Sequence, residues 1–450
     1  MSYEKWSLGY WFLKQYVIFA NWLIHKKTII TGLEHIPENK PIVFAPNHQN
    51  ALSDPMAILL NVPFQPVWLA RADIFGKYKI VDKILKFLKI IPVYRIRDGK
   101  QSLEKNEKTF ADSINVLKNN AALALFPEAA HSFRRQMLVH KKAVPRIVFL
   151  AEDKTNNSLD IQIIPAGIYY SHYWKFNRSV IVNFGKPVAV KNFLDLYKEN
   201  PVAALTELKN RIHDAIIPLV INITSKKHYA DIENIREIYG RHFLNRCNKR
   251  YSLLNQFYAD RILTGQLDSL EKSSPTQMEE LVTGVNNYYR HLKILGLRSW
   301  LFEGKRHHLR RGLLNLLILT AGFPLFLIGF IFNAAPFFII DKVIRTKVKD
   351  ESFWSTFFLV AGIILFPLFY LIEFLAISWL IPGLWAKIAF LLAMPFAGKL
   401  AFLWYLFYRK TAGRFKVLWL KAFSAGKYKY ITDLRNNLFQ KLDSLIIANR

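Results

Sequence analysis

His48 and Asp54, with five residues between them, stand in the segment Ala45-Pro46-Asn47-His48-Gln49-Asn50-Ala51-Leu52-Ser53-Asp54-Pro55, directly after an apolar run. A neutral imidazole takes a proton from a hydroxyl. A carboxylate bonded to its other ring nitrogen holds the tautomer and stabilises the imidazolium that forms. The pair therefore suits a general base and its orienting group. It also suits a helix N-cap carboxylate beside an ordinary loop histidine, and by itself it does not separate these readings.

The elements that would position the pair can be read from the flanking residues. Pro41-Ile42-Val43-Phe44-Ala45 predicts a buried strand, and Asp54-Pro55 followed by Met56-Ala57-Ile58-Leu59-Leu60 predicts a helix start. His48 then sits at a strand-to-helix connection, where open α/β sheets hold their ligands. A second apolar run, Ala121 to Phe126, opens into Pro127-Glu128-Ala129-Ala130-His131-Ser132. A third, Leu88 to Val93, leads into Tyr94-Arg95-Ile96-Arg97, and a fourth is Ile161-Gln162-Ile163-Ile164-Pro165-Ala166-Gly167-Ile168. Val180 to Phe184 and Val188 to Val190 predict the last strands. Strand ends carrying His and Asp, Arg, Glu and a Pro-Ala-Gly turn are expected to converge on one cleft.

These blocks resemble, in order, those of the glycerolipid acyltransferases that include glycerol-3-phosphate and 1-acylglycerol-3-phosphate acyltransferases. The resemblance covers residues 31 to 225. The family's first block is Asn-His, four residues, Asp. Asn47 and His48 match, and the fifth residue before Asp54 resembles the fungal-type branch that acylates glycerol 3-phosphate or dihydroxyacetone phosphate. The second block ends in an arginine, matched by Arg95 with Arg97 as the fallback. The third reads Phe-Pro-Glu-Gly-Thr-Arg-Ser. Here Phe126, Pro127, Glu128 and Ser132 stand in register, but Ala129, Ala130 and His131 replace the middle, with Arg134 and Arg135 a short turn further on. Pro165 matches the proline of the fourth block.

The resemblance implies a twisted mixed sheet flanked by helices. It also implies acyl transfer from acyl-CoA or acyl carrier protein to a glycerol phosphate or lysophospholipid hydroxyl, with no covalent acyl-enzyme and no cofactor beyond the thioester substrate. His48 and Asp54 are the implied catalytic residues. Arg95, helped by Arg71 or Arg97, would clamp an acceptor phosphate, because a guanidinium fork matches two phosphate oxygens at once. Glu128 would bind glycerol hydroxyls, with Phe126, Pro127 and Pro165 completing the substrate-binding set. The altered third block keeps another lysolipid or an aminolipid in view as acceptor, and beyond enzymes a membrane lipid-binding protein. A metal-dependent phosphohydrolase built on His48, Asp54 and Glu128 is a further class, but no ligand-spaced carboxylate or cysteine accompanies His131 and His140, and no metal is expected.

Over the whole chain, 450 residues with 52% hydrophobic content exceed one small soluble domain. A formal charge of +29 calls for an anionic partner. Gly312 to Ile340 carries no charged residue, and Phe353 to Tyr408 carries only Glu373, Lys387 and Lys399. Both runs exceed the ~20 residues that cross a bilayer. Flanking basic tracts such as Lys305 to Arg311 point to anionic membrane lipids rather than nucleic acid. Cys247 is the only cysteine, which excludes an intramolecular disulfide. The first residues lack the basic start of a signal peptide, so the catalytic part is expected to be cytoplasmic. The expected organisation is an interfacial membrane helix over 1–30, a catalytic α/β domain over 31–224, an α-helical connector or lid over 225–309, membrane-embedded hairpins over 310–410 and a basic cytoplasmic tail over 411–450. The first hairpin is expected to bend near Pro324 or Pro336, and Glu373 to pair with a lysine across the second.

Overall fold

A single mixed sheet carries the sequence blocks that hold His48, Glu128 and Pro165. The protein is described by a computed structural model covering residues 2–94, 100–303 and 308–447. Its strands are β1 (His25–Thr31), β2 (Ile42–Pro46), β3 (Val67–Arg71), β4 (Ile90–Val93), β5 (Leu123–Ala124), β6 (Gln162–Tyr170), β7 (Arg178–Phe184) and β8 (Val188–Ala189). The order across the sheet is β1-β7-β6-β2-β5-β3-β4, with β8 pairing with β6. β2 runs parallel to both β5 and β6, β3 parallel to β4 and β5, and β7 antiparallel to β6. The central strands β2 and β6 are buried along their whole length. That is why they read as unbroken apolar runs instead of alternating ones.

Around the sheet lie α1 (Leu8–Ile24), α2 (Ser53–Leu59), α3 (Lys79–Phe87), α4 (Lys100–Lys118), α5 (Ala143–Asp153), α6 (Leu194–Glu199) and α7 (Pro201–Ile216). One face of the sheet packs Val43, Leu69, Leu123, Ile147, Ile163 and Leu208 into a core, and the other packs Phe44, Ile58, Trp68, Ile164 and Val182. These elements, within Met1–Val220, form one compact unit together with Ile344–Val360.

The N-terminal helix is shorter than expected. It stops at Ile24, and His25–Thr31 crosses into the sheet as β1, parallel to β7. The β-branched run Thr28-Ile29-Ile30-Thr31 favours the pleated surface over a further helical turn. One face of α1 docks through Tyr10 and Val17 on Leu59 and Leu60. Buried Lys14 donates from Nζ to the carbonyls of Val62 at 2.6 Å and Phe64 at 2.9 Å. The other face exposes Trp11, Phe12, Phe19 and Trp22.

The second unit comprises Ile221–Val343 and the chain from Ala361 onward. Its elements are α8 (Tyr229–Arg246), α9 (Leu253–Ser273), α10 (Pro275–Ile294), most of α11 (His308–Lys347) and α12 (Trp354–Ile377), α13 (Leu384–Phe423) and α14 (Ala425–Leu445). Three helical stretches, His308–Lys347, Glu351–Ile377 and Leu384–Phe423, are long and apolar enough to cross a membrane. α11 passes through Pro324 and Pro336 without reversing, so the expected hairpin over 312–340 does not form. A proline removes one backbone bond and bends a helix, whereas a reversal would strand several polar groups in an apolar surrounding. α13 runs antiparallel along α11. Asn315 Nδ2 donates to Thr411 Oγ1 at 3.1 Å, Trp404 Nε1 to the Leu319 carbonyl at 3.0 Å and Asn333 Nδ2 to the Met394 carbonyl at 3.4 Å. Gly329 lets the backbones meet, since a Cβ there would stand 2.2 Å from the Ala397 carbonyl oxygen. Glu373 makes no ion pair with Lys387 or Lys399 among the described residues, and its Oε2 has no hydrogen-bond partner. The chain after 410 is not a tail either. α13 continues to Phe423, and α14 buries Ile431, Leu438, Phe439 and Leu442, with Asp443 bound by Tyr239 and Arg246 of α8.

Candidate active site

β2 delivers Asn47 and His48 to the carboxyl edge of the sheet, and the turn into α2 returns Asp54 to the imidazole. His48 Nδ1 lies 2.8 Å from Asp54 Oδ2. A carboxylate oxygen only accepts, so the proton of that bond sits on Nδ1 and the Nε2 lone pair is left for a substrate proton. The same Oδ2 accepts the backbone N–H of Gln49 at 2.6 Å and of Asn50 at 2.7 Å. Five intervening residues thus wrap around the carboxylate, which is fully buried while the His48 side chain keeps 14% exposure. Asp54 lies inside α2, past the N-cap position, and bonds back to the loop that precedes it.

The loop is braced from several sides. Asn47 is fully buried, accepting the Ile168 N–H at 2.7 Å and donating to the Ile168 carbonyl at 3.3 Å across the sheet. Glu128 Oε1 accepts the His48 N–H at 2.9 Å, and Oε2 accepts the Leu138 N–H at 2.8 Å. Glu128 is 2% exposed. Burial pushes its carboxyl up to about 8 although both backbone N–H groups pull the other way. Glu128, expected to bind a glycerol hydroxyl, accepts one backbone N–H at each oxygen and so braces the loop that carries His48. Phe126 stacks on the His48 ring at 3.8 Å between centroids and 14° between planes, with Trp68 stacked behind Phe126 at 5.5 Å. The two loops are joined by backbone bonds from Ser132 N–H to the His48 carbonyl at 3.2 Å and from Phe133 N–H to the Gln49 carbonyl at 3.0 Å.

Arg71, at the end of β3, is exposed and ion-paired with Asp73. Arg95 and Arg97 lie outside the described residues. Pro127 is buried, and its carbonyl accepts the Lys141 N–H at 2.7 Å. Pro165 sits inside β6 opposite Ala45, buried in the sheet, next to Ala166, whose carbonyl accepts the Asn47 N–H at 3.2 Å. Arg135, a candidate stand-in for the third block's arginine, is buried, donates to the Tyr170 carbonyl at 2.6 Å and packs against the rings of Tyr169 and Tyr173.

Several residues were not singled out by the sequence. Arg178 of β7 is buried and donates to Ser53 Oγ at 3.2 Å, to the Tyr173 carbonyl and, through Nε, to His25 Nε2 at 3.0 Å. Tyr173 donates its hydroxyl to Gln49 Oε1 at 3.1 Å, while its carbonyl accepts Asn50 Nδ2 at 2.8 Å. Burial, with the Asp54 charge adding to it, holds the Tyr170 phenol well above its usual range. The sequence signal for Tyr170 and Arg178 is a polar side chain at the end of an apolar strand, and Tyr173 lies in the turn between β6 and β7. Among the described residues, no group of three or more His, Cys, Asp or Glu side chains is arranged to hold a metal ion.

The acyltransferase family profile matches residues 27–169. Glycerol-3-phosphate O-acyltransferase 2 of Saccharomyces cerevisiae is 24% identical over 135 residues, which is 30% of this chain and 18% of the yeast protein. The match therefore spans under a fifth of that relative's length. The 1-acyl-sn-glycerol-3-phosphate acyltransferase of Borreliella burgdorferi is 24% identical over 183 residues, 41% of this chain and 67% of that protein. Among solved structures, the 1-acyl-sn-glycerophosphate acyltransferase of Thermotoga maritima aligns over 46% of this chain and 78% of its own at 18% identity, with a TM-score of 0.33. Residues 27–169, which hold His48 and Asp54, match the acyltransferase family model, and the relatives they resemble are named as glycerol-3-phosphate and 1-acylglycerol-3-phosphate acyltransferases.

Proposed function

We propose that the protein is a membrane-bound O-acyltransferase that moves a fatty acyl group from acyl-CoA or acyl carrier protein to glycerol 3-phosphate or 1-acylglycerol 3-phosphate. The observation that carries this reading is the 2.8 Å bond from His48 Nδ1 to Asp54, which leaves Nε2 as base. His48 Nε2 takes the acceptor hydroxyl proton as the oxygen attacks the thioester carbonyl. The tetrahedral oxyanion collapses, the C–S bond breaks, and the thiolate leaves with the proton that the imidazolium returns. Asp54 stabilises the imidazolium throughout, and the Phe126 ring holds the imidazole plane. Arg95 or Arg97, with Arg71 nearby on β3, supplies cationic charge for the acceptor phosphate.

Membranes carrying the full chain, given radiolabelled acyl-CoA and each of glycerol 3-phosphate, dihydroxyacetone phosphate and 1-acylglycerol 3-phosphate, provide the test. Product is expected with at least one acceptor. It should fall at least about a hundredfold in His48→Ala, the scale of a lost general base. Equal turnover by wild type and His48→Ala would end the mechanism. No product with any of the three would turn the reading toward another lysolipid or aminolipid.

A further inference from the structure

Between α11 and α12 the short connector 348–353 and the first turn of α12 lie against the catalytic loops, within the same compact unit as the sheet. Leu52 N–H donates to Thr356 Oγ1 at 3.1 Å, and the hydroxyls of Ser53 and Ser355 meet at 2.7 Å. Trp354 packs edge-on to Trp174 at 5.3 Å, and Phe353 edge-on to His131 at 5.0 Å. His131 in turn stands edge-on to His48, 5.4 Å between ring centroids.

The hydrogen-bond directions in this cluster are determined. Ser352, 4% exposed, directs both its backbone N–H, at 2.9 Å, and its hydroxyl, at 2.6 Å, to Asp350 Oδ1. These bonds hold the Asp350 carboxyl below its usual range, so it is ionised and only accepts. The Ser352 proton is thereby committed, and Ser352 Oγ, 2.9 Å from His131 Nε2, has to accept from that nitrogen. Burial first, then the neighbouring His48 and the Arg71 charge, push His131 down against the opposing pull of Asp350 and Asp54, so His131 is neutral near pH 7. It is the Nε2–H tautomer, and the lone pair sits on Nδ1.

We propose that this connector completes the acyl-transfer site, with Asp350 and Ser352 as positioning residues that fix His131 so that Nδ1 receives a hydrogen bond from a second, unreacting hydroxyl of the acceptor. The proposal rests on the acyltransferase reading above. It selects an acceptor with a vicinal diol: glycerol 3-phosphate offers a neighbouring hydroxyl to Nδ1 while its other hydroxyl is acylated. Dihydroxyacetone phosphate has a carbonyl there, and 1-acylglycerol 3-phosphate has already lost its second hydroxyl to an ester. A neutral imidazole at this position replaces a cationic side chain by a hydrogen-bond acceptor, which suits a hydroxyl and not a phosphate oxygen.

The test uses membranes of the full chain and steady-state kinetics for wild type, Ser352→Ala and Ser352→Thr. Ser352→Ala is expected to raise KM for glycerol 3-phosphate about tenfold, the scale of one hydrogen bond. KM for the acyl thioester should stay unchanged, and Ser352→Thr should restore the wild-type value. An unchanged acceptor KM in Ser352→Ala, or an equal rise for dihydroxyacetone phosphate and the thioester, overturns the proposal. A second readout does not need turnover. The spectrum of 15N-histidine-labelled protein in lipid nanodiscs, assigned with His131→Gln, is expected to show an unprotonated Nδ1, and a protonated Nδ1 refutes the tautomer. Should wild type acylate none of the three acceptors, the functional reading fails and the hydroxyl contact with it, while the spectrum still decides the tautomer.

Discussion

His48 is held by contacts of three kinds: a charge-bearing partner at Nδ1, a ring stacked on its face, and a carboxyl under its backbone N–H. The last makes a distinct prediction. Glu128 keeps its proton up to about 8 in the folded chain against an ordinary value of 4.5. Between those values the unfolded chain has released a proton that the folded chain retains, so stability falls as pH rises through that interval, by roughly 3–5 kcal/mol in all. Glu128→Gln removes this slope. It also sets an amide NH2 against one backbone N–H, at a pH-independent cost of about 1–3 kcal/mol. Melting of the detergent-solubilised protein at pH 5 and pH 8 is the check: wild type should lose much more stability than Glu128→Gln between the two, and parallel losses would refute the assignment. The motif residues at this scale were legible in the sequence because their order and spacing are local. What Glu128 does was not, because its partners are the His48 and Leu138 backbones, distant in the chain or unmarked by side-chain type.

The turn that carries Glu128 shows how an element accommodates an unfavourable residue. Ala129 adopts φ +58°, the left-handed region, where the resembled motif has glycine. A Cβ there costs about 1–2 kcal/mol, while glycine loosens the unfolded chain by about 0.4–1 kcal/mol. The strain is the larger effect, so Ala129→Gly is expected to stabilise by about 0.5–1 kcal/mol with acyl transfer retained. A lower melting temperature would contradict this. The strands around the site were legible from their apolar runs, although β5 is only the pair Leu123–Ala124 and β4 ends at Val93. The end of α1 and the course of α11 were misread. A β-branched run joined the sheet only because β7 offers it an edge, and two prolines gave no reversal because α13 runs continuously along α11.

Over the whole molecule, three helices expose apolar surface that the chain itself does not cover, with only 11% of each hydrophobic window buried. Exposed patches of that extent require a lipid or protein surround, and the charge of +29 adds attraction to anionic headgroups. The protein is expected to stay in the membrane pellet through high salt and alkaline carbonate and to enter solution only with detergent. Release by salt alone would mean that charge, and not helix insertion, holds it there. The aromatic face of α1, with Trp11, Phe12 and Trp22 outward and Lys14 tied to Val62 and Phe64, suits the interface and not the hydrocarbon core.

By itself the sequence determined the chemistry-bearing blocks, the α/β class and the membrane-length helices, because each is written in local order, period or hydropathy. Only the tertiary structure placed Pro165 inside β6, Arg135 on the Tyr170 carbonyl and Glu128 under the His48 backbone, and folded the residues after 410 onto α8 and α10. It alone brought Arg178 to the Asp54 turn and Ser352 to His131, across sequence separations of 125 and 221 residues. Such meetings depend on strand order and on which loops share the carboxyl edge of the sheet, and no spacing along the chain encodes them.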